Sequence, residues 1–261
     1  MRLVSYNILD GGEGRADPLA EVIEAARPDV VALIEADDDF VVDRIANRFK
    51  MDFVIGHGQR HRVALLSRWP IGESVNHPSL VDGFDSCLLE VTVEPPTGSA
   101  VPIGIVHLHP RAKESNEQTR EREIETVLNA FARHRAKKTA HILCGDFNSN
   151  SPTQNIDLER AHPSTREEAR ANAQAHDTVV GVVPRRVVQR ILKDGYVDTL
   201  HSYNANIADT VGSFTTQHPQ QRVDYIFAHG PSVKINNAWI EQDRLAKYAS
   251  DHFPIGVDVQ L

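Results

Sequence analysis

Apolar positions fall into short runs, and their period alternates between that of a strand and that of a helix. "RLVSYNIL" (2–9) is rich in β-formers. Asp17 followed by Pro18 reads as a helix start, an acidic cap and then proline at the first helical position, and "PLAEVIEAAR" continues the helix until Pro28. "DVVALIEA" (29–36) is nearly all apolar, as in a strand covered on both faces. A helix pattern occupies roughly 39–49, and strands are predicted at 52–56, 62–68, 87–94 and 101–109. In the charged segment 114–135, Ile124, Val127, Leu128 and Phe131 recur at helical spacing, which makes the charges a solvated face. "AHILCGD" is the next strand, and 184–195 is helical with Gly195 as its stop. The last third returns to strands at 212–216, 222–229, 232–240 and 253–261.

Residues 149–183 are polar and rich in Pro, Ala and His with weak periodicity, and read as a surface excursion with room for short helices. No heptads, short repeats or low-complexity tracts interrupt the pattern, and nothing resembles a linker. The mixed order of βαβ and meander segments predicts a single α/β (α+β) domain over 1–261, with helices packed outside two sheets.

Composition changes this picture little. Hydrophobic residues make up 41% and charged residues 25%, ordinary for a globular chain with a sizeable core. No apolar run is long enough for a membrane span, and "MRLVSYNILDGG" reads as a first core strand, so a cytoplasmic protein is expected. Cys87 and Cys144 both lie in apolar strand-like runs and read as buried free thiols, with no zinc-type Cys/His spacing. The net charge of −8 lowers the expectation of a general high-affinity nucleic-acid binder, which needs a basic face.

The informative positions are polar residues that interrupt apolar strands, because a buried carboxylate or amide is costly unless paired or bound to a cation. Asn7 follows "LVSY", Glu35 ends "VVALI", and His107 follows "PIGIV". Asp146 and Asn148 follow "HILCG", Asp224 sits inside "RVDYIF", and Asp251 and His252 precede "FPIGV". Singly, each has a plain structural reading: a turn for Asn7, a strand-end acid for Glu35, a core histidine for His107. Asp224 reads as an ion pair with Arg222, "GDFN" as an Asx turn, and "SDH" as a loop. Residues i and i+2 of a strand share a face, however, so Asp146 and Asn148 are presented together. Together these acids, amides and histidines suit an oxygen-rich site for Mg²⁺ or Mn²⁺ with histidines placed for proton transfer.

In this order the motifs "SYNIL", "ALIEA", "VALLSRWPI", "IVHLH", "GDFNS", "GYVDTL", "RVDYIF" and "SDHFPI" resemble the endonuclease/exonuclease/phosphatase superfamily across nearly the whole chain. The resemblance implies a four-layer α/β sandwich of two mixed sheets, face to face, with the site at one end. It also implies roles. Glu35 would be the principal metal ligand, with Asn7 adjacent and Asp251 contributing directly or through water. Asp146 would position or deprotonate the attacking water, and Asn148 would orient that water, the metal shell or a phosphate oxygen. His252, oriented by Asp224, would hydrogen-bond a phosphate oxygen or serve as base. His107 would lie by the phosphate and protonate the leaving oxygen. Relatives that are nucleases carry a Glu paired to the His107-like residue, and the local alignment names no match for it here.

Arg62, His109 and Arg111 are the candidate substrate contacts; Arg60 and His61 flank the first of these, and Asp198 reads as structural. The expected activity is a Mg²⁺- or Mn²⁺-dependent phosphohydrolase, foremost a phosphodiesterase of nuclease type acting on nucleic acid or a nucleotide, and a monomer. The alternatives are a phosphomonoesterase, a lipid phosphodiesterase, or a non-catalytic binding member. The last would have lost part of the set Glu35, Asp146, Asn148, Asp224 and His252, none of which is missing.

Overall fold

The computed structural model describes residues 1–81, 86–175 and 182–261. In chain order its strands are β1 (Arg2–Asn7), β2 (Val30–Ile34), β3 (Asp52–His57), β4 (Arg62–Ser67), β5 (Ile71–His77) and β6 (Cys87–Val93). They continue with β7 (Val101–His107), β8 (His141–Asp146), β9 (Val197–Asp198), β10 (Asp224–His229), β11 (Lys234–Ile240) and β12 (Ile255–Gln260). The helices are α1 (Ala16–Ala26), α2 (Asp39–Phe49), α3 (Glu114–Ala130), α4 (Ala132–Ala136), α5 (Pro163–Ala175), α6 (Arg186–Lys193), α7 (Thr199–Tyr203), α8 (Ala205–Thr210) and α9 (Ala246–Ala249). Among the described residues none of them is long and apolar enough to cross a membrane.

Two six-stranded sheets form, ordered β11-β12-β1-β2-β4-β3 and β5-β6-β7-β8-β10-β9. Each is mixed, with one parallel pair, β1–β2 in the first and β7–β8 in the second. Strand alternation shows how they stack. In β2, Val30, Ala32 and Ile34 enter a core shared with Ile103, Ile105, Ile142 and Cys144 of the other sheet. Val31 and Leu33 turn outward to Leu19, Ile23, Val42 and Ile45 of α1 and α2. On the far side Val106 and Leu143 meet Ile124, Val127 and Leu128 of α3 and Val187 and Ile191 of α6. The result is the four-layer sandwich, helices outside and sheets inside.

Several local expectations change. Residues 212–216 form no strand; Phe214 makes isolated bridges to Gln221 and His252 instead. The segment 71–77, with few inward apolar residues, is a strand at a sheet edge, largely exposed. Asp17 lies inside α1 rather than capping it, and its carboxylate pairs with Arg44 at 2.8 Å. The 114–135 helix is interrupted at Phe131, whose backbone leaves the helical region. The excursion contains the 13-residue α5; its residues 176–181 lie outside the described residues. Cys87 and Cys144 are buried free thiols.

At the start of β8, His141 is fully buried, with Nδ1 2.7 Å from the Thr139 carbonyl and Nε2 2.8 Å from the Tyr196 hydroxyl. Burial lowers its pKa to about 4; the Thr139 contact opposes this, and His229, His134 and Arg135 add to it. The folded state therefore holds the ring neutral while the unfolded chain binds a proton below about 6.5. This contribution to stability is complete above about pH 6.5 and is lost as pH falls toward 4, by up to about 1.4 kcal/mol per pH unit. Urea midpoints at pH 7 and pH 5 should differ clearly in the wild type and less in His141→Gln, which keeps a donor and an acceptor but cannot titrate.

Candidate active site

The apolar rows between the sheets end in polar residues at one edge of the sandwich. Ile103 and Ile105 of β7 face the shared core, and His107 is next on that face. Ile142 and Cys144 of β8 precede Asp146 in the same way, and β10 runs from Asp224 to Ile226 and Ala228. Strand register then sets three of these side chains abreast, His107 opposite Asp146 and Asp146 opposite Asp224. In the facing sheet, β1 ends at Asn7, paired with Ile34 and so beside Glu35. Gly145 allows the close approach: its φ is +134°, and a Cβ there would run into the Val106 carbonyl of the parallel neighbour.

Asn7 joins the two sheets. Its Nδ2 donates to Glu35 Oε1 and to Asp146 Oδ2, each at 3.2 Å. Glu35 has a φ of +58°, and its Oε2 accepts the Asp10 N–H at 2.8 Å. Burial alone would raise the Glu35 pKa, but His107, the Asp10 N–H, His61 and the Asn7 amide hold it below its ordinary value. Asp146 goes the other way. Burial pushes it up to about 7, with the Asp224 and Glu35 charges adding to the rise and His252 and the Asn148 N–H opposing it. That N–H reaches Asp146 Oδ1 at 2.9 Å, and Asn148 Nδ2 donates to the Leu108 carbonyl at 2.9 Å, holding a left-handed residue (φ +49°) past the strand end.

His252 places Nδ1 2.9 Å from Asp224 Oδ2 and Nε2 3.8 Å from Asp146 Oδ2, with the Phe214 ring centroid 4.7 Å from its own. Burial disfavours its charged form, but Asp224, then Asp146 and Asp251, outweigh it and raise the pKa to about 10. His107 Nε2 lies 3.9 Å from both Glu35 Oε1 and Asp146 Oδ2. There burial dominates and lowers the pKa to about 4, against the opposing pull of Glu35. Asp251 is raised by burial, and its Oδ1, like Asp224 Oδ1, is a buried carboxylate oxygen with no hydrogen-bond partner among the described residues.

A cleft of about 300 Å³ opens over this row. One wall carries Glu35, His107, Asp146, Asn148, Asp251 and His252, with Asn7 and Asp224 bonded directly to members of it. Ser164, Thr165 and Glu168 of α5 form a second wall, and Arg111 also borders the cleft. The other two candidate substrate contacts do not line it. The Arg62 guanidinium is 2.7 Å from Asp39 Oδ1 and donates to the Asp37 carbonyl. The backbone N–H of His109 donates to Glu123 at 2.9 Å, and its carbonyl accepts from Arg120 at 2.7 Å.

Sequence reasoning missed the α5 wall, whose weak periodicity carried no signal of chemistry. It also passed over Asp10, and it read His61 only as part of a basic triplet. Both residues lie with Glu35, one donor atom from each within 4.8 Å of the others. A signal existed for His61, because Val63 and Leu65 face the shared core and a residue two positions earlier continues that row.

Comparison with known proteins gives the family and the fold. The family model described as Endonuclease/Exonuclease/phosphatase family matches residues 4–252. A search of curated protein sequences finds no match. Among solved structures, the human Nocturnin catalytic domain with bound sulfate anion aligns with a TM-score of 0.73 at 17% identity, covering 100% of this chain and 94% of that one. D. rerio TDP2 complexed with a single-strand DNA product gives 0.69 at 20% identity, covering 100% and 99%. The 3′ phosphatase NExo from Neisseria bound to a product DNA hairpin gives 0.71 at 18%, covering 100% of both chains. At these identities the likeness is one of fold.

Proposed function

Because the chain belongs to the endonuclease/exonuclease/phosphatase family, whose members hydrolyse phosphoesters, we propose that it is a divalent-metal-dependent phosphodiesterase. Its substrate on this reading is a nucleic acid or nucleotide, attacked in line by a water. The observation that carries the reading is the side-by-side register of His107, Asp146 and Asp224 in the cleft wall, facing Glu35 across the Asn7 amide. The match across both sheets and their shared core support 1–261 as one domain.

A cation fits this donor set. The carboxylates of Glu35 and Asp251 are partly buried, Asp251 Oδ1 has no hydrogen-bond partner among the described residues, and the donors are oxygens, as Mg²⁺ and Mn²⁺ prefer. Glu35 and Asp251 would hold the ion, with the Asn7 carboxamide beside them. Such an ion neutralises phosphoryl charge as a Lewis acid.

The chain's own residues divide the remaining work. His252, held protonated by Asp224, donates a charged hydrogen bond to a non-bridging phosphoryl oxygen, where negative charge builds. An imidazolium has no lone pair to take a proton, so the base is Asp146, whose pKa of about 7 suits it to accept a proton from water near neutral pH. Asn148 fixes the Asp146 carboxylate through its N–H. His107 stands beside Asp146 in the same row and attends the leaving oxygen. The substrate class draws support from the DNA products named with two of the similar structures and from Arg111 at the rim.

The test is hydrolysis of bis-p-nitrophenyl phosphate, p-nitrophenyl phosphate, single- and double-stranded DNA, RNA, an inositol phosphate and sphingomyelin, each with Mg²⁺, Mn²⁺ or EDTA. Diesters should be cleaved, EDTA should stop cleavage, and added metal should restore it. Preferential hydrolysis of the monoester or of the lipid would replace the phosphodiesterase reading. EDTA-resistant turnover would remove the metal from it.

A further inference from the structure

The geometry points to His61 as a nitrogen ligand of the divalent ion at Glu35, positioned by Asp37, which would make the site selective for Mn²⁺ over Mg²⁺. This rests on the hydrolase reading only in taking Glu35 as a metal ligand.

Three observations support it. First, a ring nitrogen of His61 and carboxylate oxygens of Glu35 and Asp10 lie within 4.8 Å of one another. Ligands about 2.1 Å from an octahedral ion are about 3.0 Å apart when adjacent and about 4.2 Å apart when opposite, so the three donors already surround a space of the right order and draw together when an ion binds. Second, His61 Nδ1 is 2.7 Å from Asp37 Oδ2. A metal-bound histidine commonly gives its other ring N–H to a carboxylate, which fixes the tautomer and leaves Nε2 with a lone pair. Asp37 is itself fixed, since its Oδ1 accepts the Arg62 N–H at 2.7 Å. Third, the chain holds these parts together at short range. Glu35 and Asp37 lie on one loop at the end of β2, His61 immediately precedes β4, which begins at Arg62 and pairs with β2, and the Asp10 N–H is bonded to Glu35.

The engagement of Arg62 acquires a purpose in this arrangement. Its guanidinium on Asp39 and on the Asp37 carbonyl braces the Asp37 loop, and its N–H orients the Asp37 carboxylate toward His61. Arg62 thus acts as a positioning residue two steps behind the ion. The chemical consequence is a mixed nitrogen–oxygen donor set. Mg²⁺ binds imidazole poorly and keeps its waters, whereas Mn²⁺ accepts nitrogen and oxygen ligands together and stands at the start of the series in which imidazole affinity rises.

The experiment is Mn²⁺ binding to the purified, EDTA-stripped full chain, read by electron paramagnetic resonance, with Mg²⁺ measured by competition. Pulsed measurements on the bound Mn²⁺ report ¹⁴N coupling from a ligating imidazole. The wild type should bind Mn²⁺ more tightly than Mg²⁺ and show ¹⁴N coupling. His61→Gln should lose the coupling and weaken Mn²⁺ binding at least about tenfold, with Mg²⁺ binding changed by less than about twofold; Asp37→Asn should weaken Mn²⁺ binding by about 10-fold. His107→Gln, which removes the other imidazole near Glu35, should keep the coupling. Far-ultraviolet circular dichroism checks that each variant is folded, and Asp37→Asn supplies the comparison if His61→Gln is not.

Mn²⁺ bound without ¹⁴N coupling overturns the inference and leaves the hydrolase reading intact. Coupling that persists in His61→Gln and vanishes in His107→Gln also overturns it, transferring the nitrogen to His107. Absence of Mn²⁺ binding overturns both the inference and the metal site. A Mn²⁺ signal with the expected coupling in a protein that hydrolyses nothing would sustain the inference and sink the catalytic reading instead.

Discussion

Asp146→Asn should lower kcat by about 10³-fold or more while leaving KM and folding nearly unchanged, a loss in the range of a missing general base. The substitution keeps the shape of the side chain and its acceptor for the Asn148 N–H, and removes the capacity to take a proton. Its effect on stability is the sum of two opposed terms. The Asp146 carboxylate is disfavoured in the fold, since burial and the Asp224 and Glu35 charges raise its pKa to about 7. A carboxyl raised in this way costs stability once pH exceeds its unfolded value near 4, and the cost is complete above about 7; the amide relieves it. Against that, an amide nitrogen facing Asn7 Nδ2 sets donor against donor, where a 3.2 Å hydrogen bond stood. At pH 8 the thermal midpoint should therefore stay within a few degrees of wild type. Steady-state kinetics with the best diester, beside a melting curve, make the check. A variant retaining a tenth of wild-type kcat would show that another group takes the proton.

The same site shows which parts of the molecule can be read from one sequence. Strand alternation is a local property, so β2, β7 and β8 were legible from residue type, and so were His107 and Asp146 at their ends; Asn148, expected on the strand face of Asp146, instead lies past the strand end at φ +49°, where alternation no longer applies. Glu35, Asp251 and His252 stood out because a polar residue against an apolar run has few unforced explanations. Partner choice is not local. Arg222 was set beside Asp224 by sequence nearness, yet its guanidinium pairs with Asp198, leaving Asp224 to His252. Arg62 carried its charge visibly, but that it would be taken up by Asp37 and Asp39 depended on the β2–β4 pairing. β5 went unread because IGESVNH is an edge strand with few buried side chains, so it lacks the alternation a half-buried strand displays. Residues 212–216 have strand-forming chemistry but, among the described residues, bridge only Gln221 and His252 through Phe214, which packs on the histidine ring. The α5 wall follows from tertiary packing of a weakly amphipathic polar segment, and its Thr165–Gln221 hydrogen bond at 2.6 Å spans 56 residues.

Asp198→Ala should be the most destabilising of the substitutions considered, by about 3–5 kcal/mol, because it strands a buried cation. Arg222 is 1% exposed and Asp198 6%, and their side chains meet at 2.7 Å. The guanidinium also donates to the Ala208 carbonyl at 3.1 Å and lies 4.4 Å from the centre of the Tyr225 ring. Neither contact neutralises its charge, and water does not reach it. Asp198 further accepts the His201 N–H that caps α7, so the variant loses a cap as well. Against a domain stability of about 5–15 kcal/mol, such a loss leaves a marginal fold at 37 °C. The double substitution Asp198→Leu with Arg222→Met removes both charges and should recover most of the loss, since a buried pair can be replaced by apolar groups far more cheaply than it can be halved. The active site would feel the single variant through β10. Arg222 lies two residues before Asp224, and the N–H groups of Val223 and Asp224 are both anchored on Ser213 Oγ, at 3.1 and 3.2 Å. Loosening that start of the strand should weaken the Asp224–His252 pair and lower kcat, with the double variant restoring it in step with stability. Urea denaturation of the single and double variants, with kcat measured on each, decides the matter. A single variant as stable as wild type would mean that Arg222 finds another anion or reaches solvent, and would break the link drawn here between the buried pair and the site.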